Sequence, residues 1–313
     1  MPTINRIQYR QYGGPELMKL ESFELASPAK GEVLVRVVAA AANPMDWTIR
    51  DGVTKMQTGR RFPRGLGHDF AGIVEQVGAG VKGFQAGDAV LGAMTMKASG
   101  AFADMVLADA DLLVKKPSDL SFEEAAALPT VGVTALQALV DKGELQPGQN
   151  IFINGVLGGV GRAAAQLALM IGATVTGSCR EPSSKVAEAL GITQVVGFDF
   201  DPHALKGQFN VILTTAGALA LDDARTMLKT GGRFVDINVT PAKLAKSLIA
   251  RDFKPLIAKY TPEALGAVAR AASEGKLDVP IALTVPLPRA IDALTDLERN
   301  HNPKGGKLII TMH

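Results

Sequence analysis

The sequence predicts an α/β architecture, with a doubly wound parallel sheet beside a β-rich domain assembled from both ends of the chain. Three observations predict it. The apolar run ending at Ile153 leads into Asn154-Gly155-Val156-Leu157-Gly158-Gly159-Val160-Gly161, and this turn opens directly into helical periodicity with Val160, Ala164, Leu167, Ala168 and Ile171 on one face. Short apolar strands then alternate with helical segments to about residue 275. Outside that stretch, strand patterns separated by glycine turns dominate. The expected division is 1–118 with 276–313 for the β-rich domain, and 119–275 for the doubly wound one.

The elements follow in order. Glu32 to Ala39 and Ala71 to Val77 are apolar, β-branched runs of strand length. Ser121-Phe122-Glu123-Glu124 has the spacing of a capping box, Ser followed three residues later by Glu, so a helix should begin there. Ile151–Ile153, Thr174–Thr176, Gln194–Val196, Val211–Thr214 and Phe234–Asn238 are expected as successive strands. Ser184–Leu190 and Leu221–Leu228 supply intervening helices. Near the C-terminus, Ile281–Val285 and Lys307–Thr311 read as strands flanking the helix Pro288–Arg299, and the strand pattern returns them to the first domain.

Composition narrows the class. With 313 residues, 47% of them hydrophobic and 20% charged, the chain can bury a substantial core. The formal charge of +2 is dispersed, with no basic run interleaved with aromatics, so no nucleic-acid partner is expected. No apolar segment reaches the roughly 18 residues that would span a bilayer. The opening residues Met1 to Arg6 lack an apolar targeting core, so no membrane partner is expected and the expected location is the cytoplasm. The single cysteine, Cys179, permits neither an intramolecular disulfide nor a multi-cysteine zinc lobe.

The glycine turn is the most informative feature. Backbone N–H groups at a helix N-terminus point toward an anion, and glycines allow the chain to approach a pyrophosphate that side chains would block. Counted strictly as G-x-G-x-x-G, the first glycine falls on Val156, and Gly158 and Gly161 match. Gly158, Gly159 and Val160 are therefore the expected pyrophosphate cradle. A carboxylate for the ribose 2′-hydroxyl would stand about 20 residues past the turn. Here the second strand ends Ser178-Cys179-Arg180 and Lys185 follows, a hydroxyl and cations that suit a 2′-phosphate. The expected cofactor is NADP(H). Thr215, Gly217 and Asn238, at the ends of the fourth and fifth strands, should converge on the same crevice.

Seven landmarks stand in order along nearly the whole chain: Tyr12-Gly13-Gly14-Pro15-Glu16, Ala42-Asn43-Pro44-Met45-Asp46-Trp47, Gly67-His68-Asp69-Phe70-Ala71-Gly72, Gly87-Asp88-Ala89-Val90, Ala125-Ala126-Ala127-Leu128-Pro129, Gly158-Gly159-Val160-Gly161 and Gly305-Gly306-Lys307-Leu308. With them the chain resembles the medium-chain dehydrogenase/reductase superfamily, in its zinc-independent quinone oxidoreductase and enone reductase branch. The resemblance implies a GroES-like barrel domain, an NADPH-binding Rossmann domain and a reaction site in the cleft between them. In zinc-dependent members a cysteine, a histidine and a third ligand hold the metal. Here those positions fall on Asn43, His68 and Thr130 or its neighbours, and one ligand of three does not hold zinc.

Without a Lewis acid, the hydride acceptor must already be electrophilic, as a quinone or an α,β-unsaturated carbonyl is. Asn43 is then expected nearest the nicotinamide and the substrate carbonyl, with Asp46 and Trp47 lining the same cleft. The resemblance also places Thr134 at the nicotinamide end, Phe198 beside the adenine and Lys307 on the pyrophosphate, and it suggests a homodimer. Two other readings stand beside this one: a cofactor-binding protein with vestigial catalysis, and a zinc alcohol dehydrogenase.

Overall fold

Six parallel strands form the sheet that the βα alternation predicts. A computed structural model describes residues 3–180, 183–216 and 219–312. The strands lie in the spatial order Gln194–Val196, Thr174–Ser178, Asn150–Asn154, Phe209–Thr214, Leu228–Asp236, Phe253–Pro255. In chain sequence that is third, second, first, fourth, fifth, sixth, so the winding reverses between Asn150–Asn154 and Phe209–Thr214, where ligands of open α/β sheets bind. Phe152, Phe209, Ile212, Phe234 and Phe253 share one core cluster with Leu221, Ala224 and Met227 of the helix Leu221–Met227. The fifth strand ends at Asp236, two residues short of the expected Asn238, because the chain then bends away toward the helix Pro241–Ser247.

The glycine turn takes up the geometry its composition allows. Gly158 is the N-cap of the helix Gly159–Ile171, and the first intrahelical bond runs from the Arg162 N–H to the Gly158 carbonyl at 2.7 Å. The amides of Gly159, Val160 and Gly161 therefore precede the hydrogen-bonded part of the helix. Gly155, not residue 156, makes the tight turn, with φ of +86°. Gly161 seats the helix so closely on the strand end that a Cβ there would lie 2.1 Å from the Gly155 carbonyl oxygen.

The β-rich part contains a three-stranded sheet, Lys19–Glu24, Thr3–Tyr9, Arg64–Gly65, and a seven-stranded one. Along the latter run Ile281–Pro286, Lys307–Thr311, Glu32–Ala41, Asp69–Val77, Ala89–Ala93 and Leu113–Lys115, with Met105–Asp109 also paired to Glu32–Ala41. The C-terminal strand is antiparallel to Glu32–Ala41 in the register Ile309↔Ala41, Ile310↔Ala40, Thr311↔Ala39. Leu308, Ile309 and Ile310 are buried, each contributing about 1.5–3 kcal/mol through removal from water. That burial explains why the chain returns to this domain. The same register, extended by two residues, sets Lys307 beside Asn43.

The chain divides into two compact units: Met1–Thr130 with Tyr260–Ser273 and Val279–His313, and Val131–Lys259 with Glu274–Asp278. The expected boundary near 118 moves to Thr130 for a packing reason. Ser121 and Glu124 do form a capping box, with the Glu124 N–H donating to Ser121 Oγ at 3.1 Å and the Ser121 N–H to Glu124 Oε2 at 2.8 Å. The helix they start, Phe122–Ala127, buries Ala125, Ala126 and Ala127 and packs on Glu32–Ala41 and Asp69–Val77. Likewise the helix Pro262–Ser273 packs on Leu113–Lys115, which moves it from the doubly wound unit to the β-rich one. Among the described residues no helix is long and apolar enough to cross a membrane.

Candidate functional site

In the β-rich unit a set of buried polar side chains gathers around Asn43. Asn43 lies two residues past the strand Glu32–Ala41 and is the N-cap of the helix Pro44–Arg50, where the proline at the first helical position and Asp46 in the first turn set the start. Asp46 Oδ2 accepts the Asn43 N–H at 2.8 Å, and its other oxygen lies 2.7 Å from His68 Nδ1. The Asn43 side-chain amide is enclosed. Its Nδ2 donates to Asp69 Oδ2 at 3.0 Å and to the Ala41 carbonyl at 3.3 Å, while its Oδ1 accepts from the Lys307 ammonium. An ammonium can only donate and a carboxylate can only accept, so the amide's orientation is determined.

Asp69 is the hub of the second half. It accepts from the Thr130 N–H at 2.9 Å and the Thr130 hydroxyl at 2.7 Å, and Thr130 Oγ1 is 2.9 Å from the Tyr260 hydroxyl. Because the Thr130 proton points to the carboxylate, Tyr260 donates to Thr130. Burial pushes the Asp69 carboxyl up, opposed chiefly by Lys307, and pushes the Lys307 ammonium down, opposed by Asp69 and then Asp46. Burial, with Asp69 adding to it, also raises the Tyr260 phenol.

Two expectations change here. The Asn43 amide has no proton left for a substrate carbonyl, and Lys307, 8% exposed, directs its ammonium to Asn43 and to the Ala42 carbonyl at 3.0 Å, not to a phosphate. The zinc positions fare the same way. The amide oxygen of Asn43 faces an ammonium, and the Thr130 hydroxyl is committed to Asp69; a dication beside Lys307 would be repelled. The residues present do not fit zinc. Trp47 is half-buried on the helix Pro44–Arg50.

In the doubly wound unit the ends of three adjacent strands are stitched together. Ser178 Oγ donates to Asn154 Oδ1 at 2.6 Å and accepts the Gly155 N–H at 3.1 Å. Asn154 Nδ2 donates to Thr214 Oγ1 at 3.0 Å and to the Ala216 carbonyl at 2.7 Å. The Thr215 hydroxyl is shared between the carbonyls of Asn154 and Gly155, at 3.0 and 3.1 Å. Ser178, fully buried, thus holds the turn and has no surface to offer a 2′-phosphate.

Arg180 and Lys185 are exposed, Phe198 is exposed to 49%, and Thr134 lies half-buried within the helix Pro129–Gln137. Asn238 is exposed past the fifth strand, its N–H donating to Asp236 Oδ1 at 2.8 Å. Gly217 lies outside the described residues. The turn fits a dinucleotide pyrophosphate: the amides of Gly159, Val160 and Gly161 precede the first helical bond, and glycine at 155 and 161 lets strand, turn and helix approach more closely than a Cβ would allow.

Reading the sequence placed Gly155 in the crevice without giving it the tight turn, and did not single out Asn154 or Tyr260. Asn154 carries a signal, a polar residue closing an apolar strand before a glycine; Tyr260 carries none, since its partner Thr130 is 130 positions away.

Residues 29–118 match the family described as alcohol dehydrogenase GroES-like domain, and residues 190–310 that described as zinc-binding dehydrogenase. A chloroplast envelope quinone oxidoreductase homolog of Arabidopsis thaliana is 30% identical, over 98% of this chain and 98% of the relative. An NADPH-dependent alkenal/one oxidoreductase from the same plant is 29% identical, over 96% of this chain and 78% of the relative. Among solved structures, the quinone oxidoreductase from Coxiella burnetii superposes with a TM-score of 0.89 at 30% identity, covering 100% of both chains.

Proposed function

Since the chain belongs to the medium-chain dehydrogenase/reductase superfamily, in its quinone oxidoreductase branch, and is an oxidoreductase of that family, we propose that it reduces a quinone or an α,β-unsaturated carbonyl with NADPH. The observation that carries this reading is the glycine turn at the point where the sheet's winding reverses. The residues that would hold the cofactor are Gly158, Gly159 and Val160 through their backbone, Thr215 beside them, and Arg180 with Lys185 at the 2′-phosphate. Bound there, a reduced nicotinamide supplies hydride to an electrophilic acceptor. The chain's own contribution is to position the dinucleotide through backbone amides fixed at the helix N-terminus.

NADPH is preferred in this reading because the second strand ends in buried Ser178 and is followed by exposed Arg180, whose guanidinium can take a phosphate through two parallel bonds. Arg180→Ala should lower the preference for NADPH over NADH roughly 10- to 100-fold, the equivalent of a charge-assisted hydrogen bond of about 1.5–3 kcal/mol. The measurement is kcat/KM for both dinucleotides with 1-octen-3-one and a benzoquinone as acceptors. An unchanged ratio would remove the assignment of NADPH, and no oxidation of either dinucleotide would remove the reductase reading.

The reading also includes a homodimer. Phe253–Pro255 ends the described sheet as an edge strand, and near it Leu248, Ile249 and Ile257 are exposed to 85%, 89% and 55%. An open edge beside apolar side chains favours pairing with a second copy. Leu248→Asp combined with Ile249→Asp should shift the mass found by light scattering from dimer to monomer; a wild-type monomer at micromolar concentration would refute the assembly.

A further inference from the structure

Between the helix Pro44–Arg50 and the strand Arg64–Gly65 the chain makes a turn whose outer side the reductase reading leaves unused. Its inner side is pinned. Gly52 packs so closely on Tyr12 that a Cβ would lie 2.9 Å from the ring, while the Tyr12 hydroxyl donates to the Gly59 carbonyl and lies 2.8 Å from Thr58 Oγ1. The N–H groups of Thr58 and Gly59 donate back to the carbonyls of Thr54 and Lys55 at 3.1 and 2.9 Å. Buried Arg64 donates to the Thr58 carbonyl at 2.7 Å and, from its other terminal nitrogen, to the carbonyls of Met96 and Lys97 at 3.1 and 3.2 Å. One guanidinium therefore holds the turn beside the loop that carries Lys97.

Two kinds of side chain face outward from this held backbone. Val53 and Met56 are exposed to 77% and 97%. Near them in the chain, or brought alongside by Arg64, stand four exposed cations, Lys55, Arg60, Arg61 and Lys97. None of the four has an ion-pair partner among the described residues. The one carboxylate between residues 51 and 64 is that of Asp51, and Arg50 takes it at 2.7 Å. Other surface cations do find acids, as Arg36 finds Glu75 at 2.7 Å and Arg225 finds Asp252 at 2.6 Å.

A lone exposed apolar side chain is ordinary, and so is a solvated lysine. The combination is what points to a partner. Two apolar tips beside four unmatched positive charges are complementary to a negatively charged bilayer surface, where apolar groups enter the headgroup layer and cations meet lipid phosphates. A folded partner suits the turn less well, because stable protein interfaces take about 800 Å² from each side, whereas a fluid surface closes around each tip singly.

We propose that this turn docks the protein on an anionic lipid surface, with Val53 and Met56 in the headgroup layer and Lys55, Arg60, Arg61 and Lys97 on the lipid phosphates. The expectation of no membrane partner rested on the want of a spanning segment, and peripheral docking needs none. The contact is reversible and weakens with salt, since the screening length falls from about 10 Å at 0.1 M to about 3 Å at 1 M. For a reductase of quinones the consequence is access to acceptors dissolved in the bilayer. The docking itself involves no chemical step and stands apart from that reading.

The test is sedimentation of the full chain with vesicles of equal parts phosphatidylglycerol and phosphatidylcholine, and with vesicles of phosphatidylcholine alone. The wild type should sediment with the mixed vesicles in about 0.1 M salt, be released in about 1 M salt, and stay in solution with phosphatidylcholine. Arg60→Ser combined with Arg61→Ser should lower the partition coefficient about 25-fold, about fivefold for each cation near such a surface. Val53→Ser combined with Met56→Ser should lower it at least about tenfold. All four side chains are exposed, so both variants should unfold at the wild-type temperature. A wild type that ignores the mixed vesicles would overturn the proposal, and so would equal sedimentation of the wild type and both variants, which would place the contact on another face. Loss of binding on removing the arginines with none on removing Val53 and Met56 would also overturn it, because the patch would then be reading a soluble polyanion by charge alone.

Discussion

Lys307→Met is expected to lower the free energy of unfolding by about 3 kcal/mol, within the cost of stripping one partner from a buried charged set. The lysine is buried, and its ammonium bridges the Asn43 amide oxygen and the Ala42 carbonyl. Methionine fills similar volume but donates nothing. Two acceptors are left unpaired, and Asp69 loses the principal charge that opposes its burial. The Asp69 carboxyl, already raised in the folded protein, then rises further. Both proteins should be compared by urea denaturation at neutral and mildly acidic pH.

The direction of the pH effect follows from protons bound. Loss of Lys307 raises the folded-state value of Asp69 while its unfolded value stays put, so the variant's deficit is fully developed above the raised value. It shrinks as pH falls through that value and Asp69 becomes neutral. A deficit below 1 kcal/mol at neutral pH would mean that Asp69 is not paired electrostatically with Lys307. A deficit that grows on acidification would show that another group sets the balance.

Lys307 also marks where sequence reading stops. The strand Lys307–Thr311 was legible, because Leu308, Ile309 and Ile310 form an apolar run behind two glycines and local pattern suffices to read it. The post its lysine occupies was not. It depends on an antiparallel register with residues more than 260 positions away, and nothing near Lys307 specifies that partner. The same distance separates legible from illegible at Thr130. Its place after Ala125-Ala126-Ala127-Leu128-Pro129 could be read, yet its bonds to Asp69 and Tyr260 join segments that only the fold brings together.

The glycine turn was legible for the opposite reason. Strand, turn and helix are contiguous, and the chemistry needed is backbone chemistry, which glycine content reports directly. In detail the turn departs from the strict spacing, in which the first glycine would fall on Val156. The structure uses Gly155, whose positive φ turns the chain one residue earlier, and buries Val156 under Gly177. Ser178 misled by position. Its hydroxyl stands at the strand end where a ribose contact is expected, but adjacent strand ends need their own polar closure, and Asn154 and the Gly155 N–H take it first.

The second large effect is expected at Gly161. In Gly161→Ala the new methyl would sit 2.1 Å from the Gly155 carbonyl oxygen, 2.9 Å from its carbon and 3.0 Å from Val156 Cα, all of them backbone atoms. No rotamer change relieves such contacts, so the helix Gly159–Ile171 must retreat from the strand end. The helix buries Ala163, Ala164, Ala165, Leu167 and Ala168, and a retreat loosens that packing, for which about 1–3 kcal/mol of stability is the usual penalty of overfilling. Retreat also carries the amides of Gly159 and Val160 away from the place where a pyrophosphate would be held. NADPH affinity, followed by cofactor fluorescence, should therefore fall at least about tenfold, about 1.4 kcal/mol of binding. Gly231→Ala is the control: unlike Gly161 it has a positive φ, +78°, but a Cβ there meets nothing within 4 Å, and it is an exposed residue of the strand Leu228–Asp236, away from the turn. That variant carries backbone strain and should lose stability with NADPH affinity unchanged. If Gly161→Ala lost stability to a similar extent yet bound NADPH as tightly as the wild type, the dinucleotide would not be gripped by this helix, and the reading of the glycine turn as its cradle would be wrong.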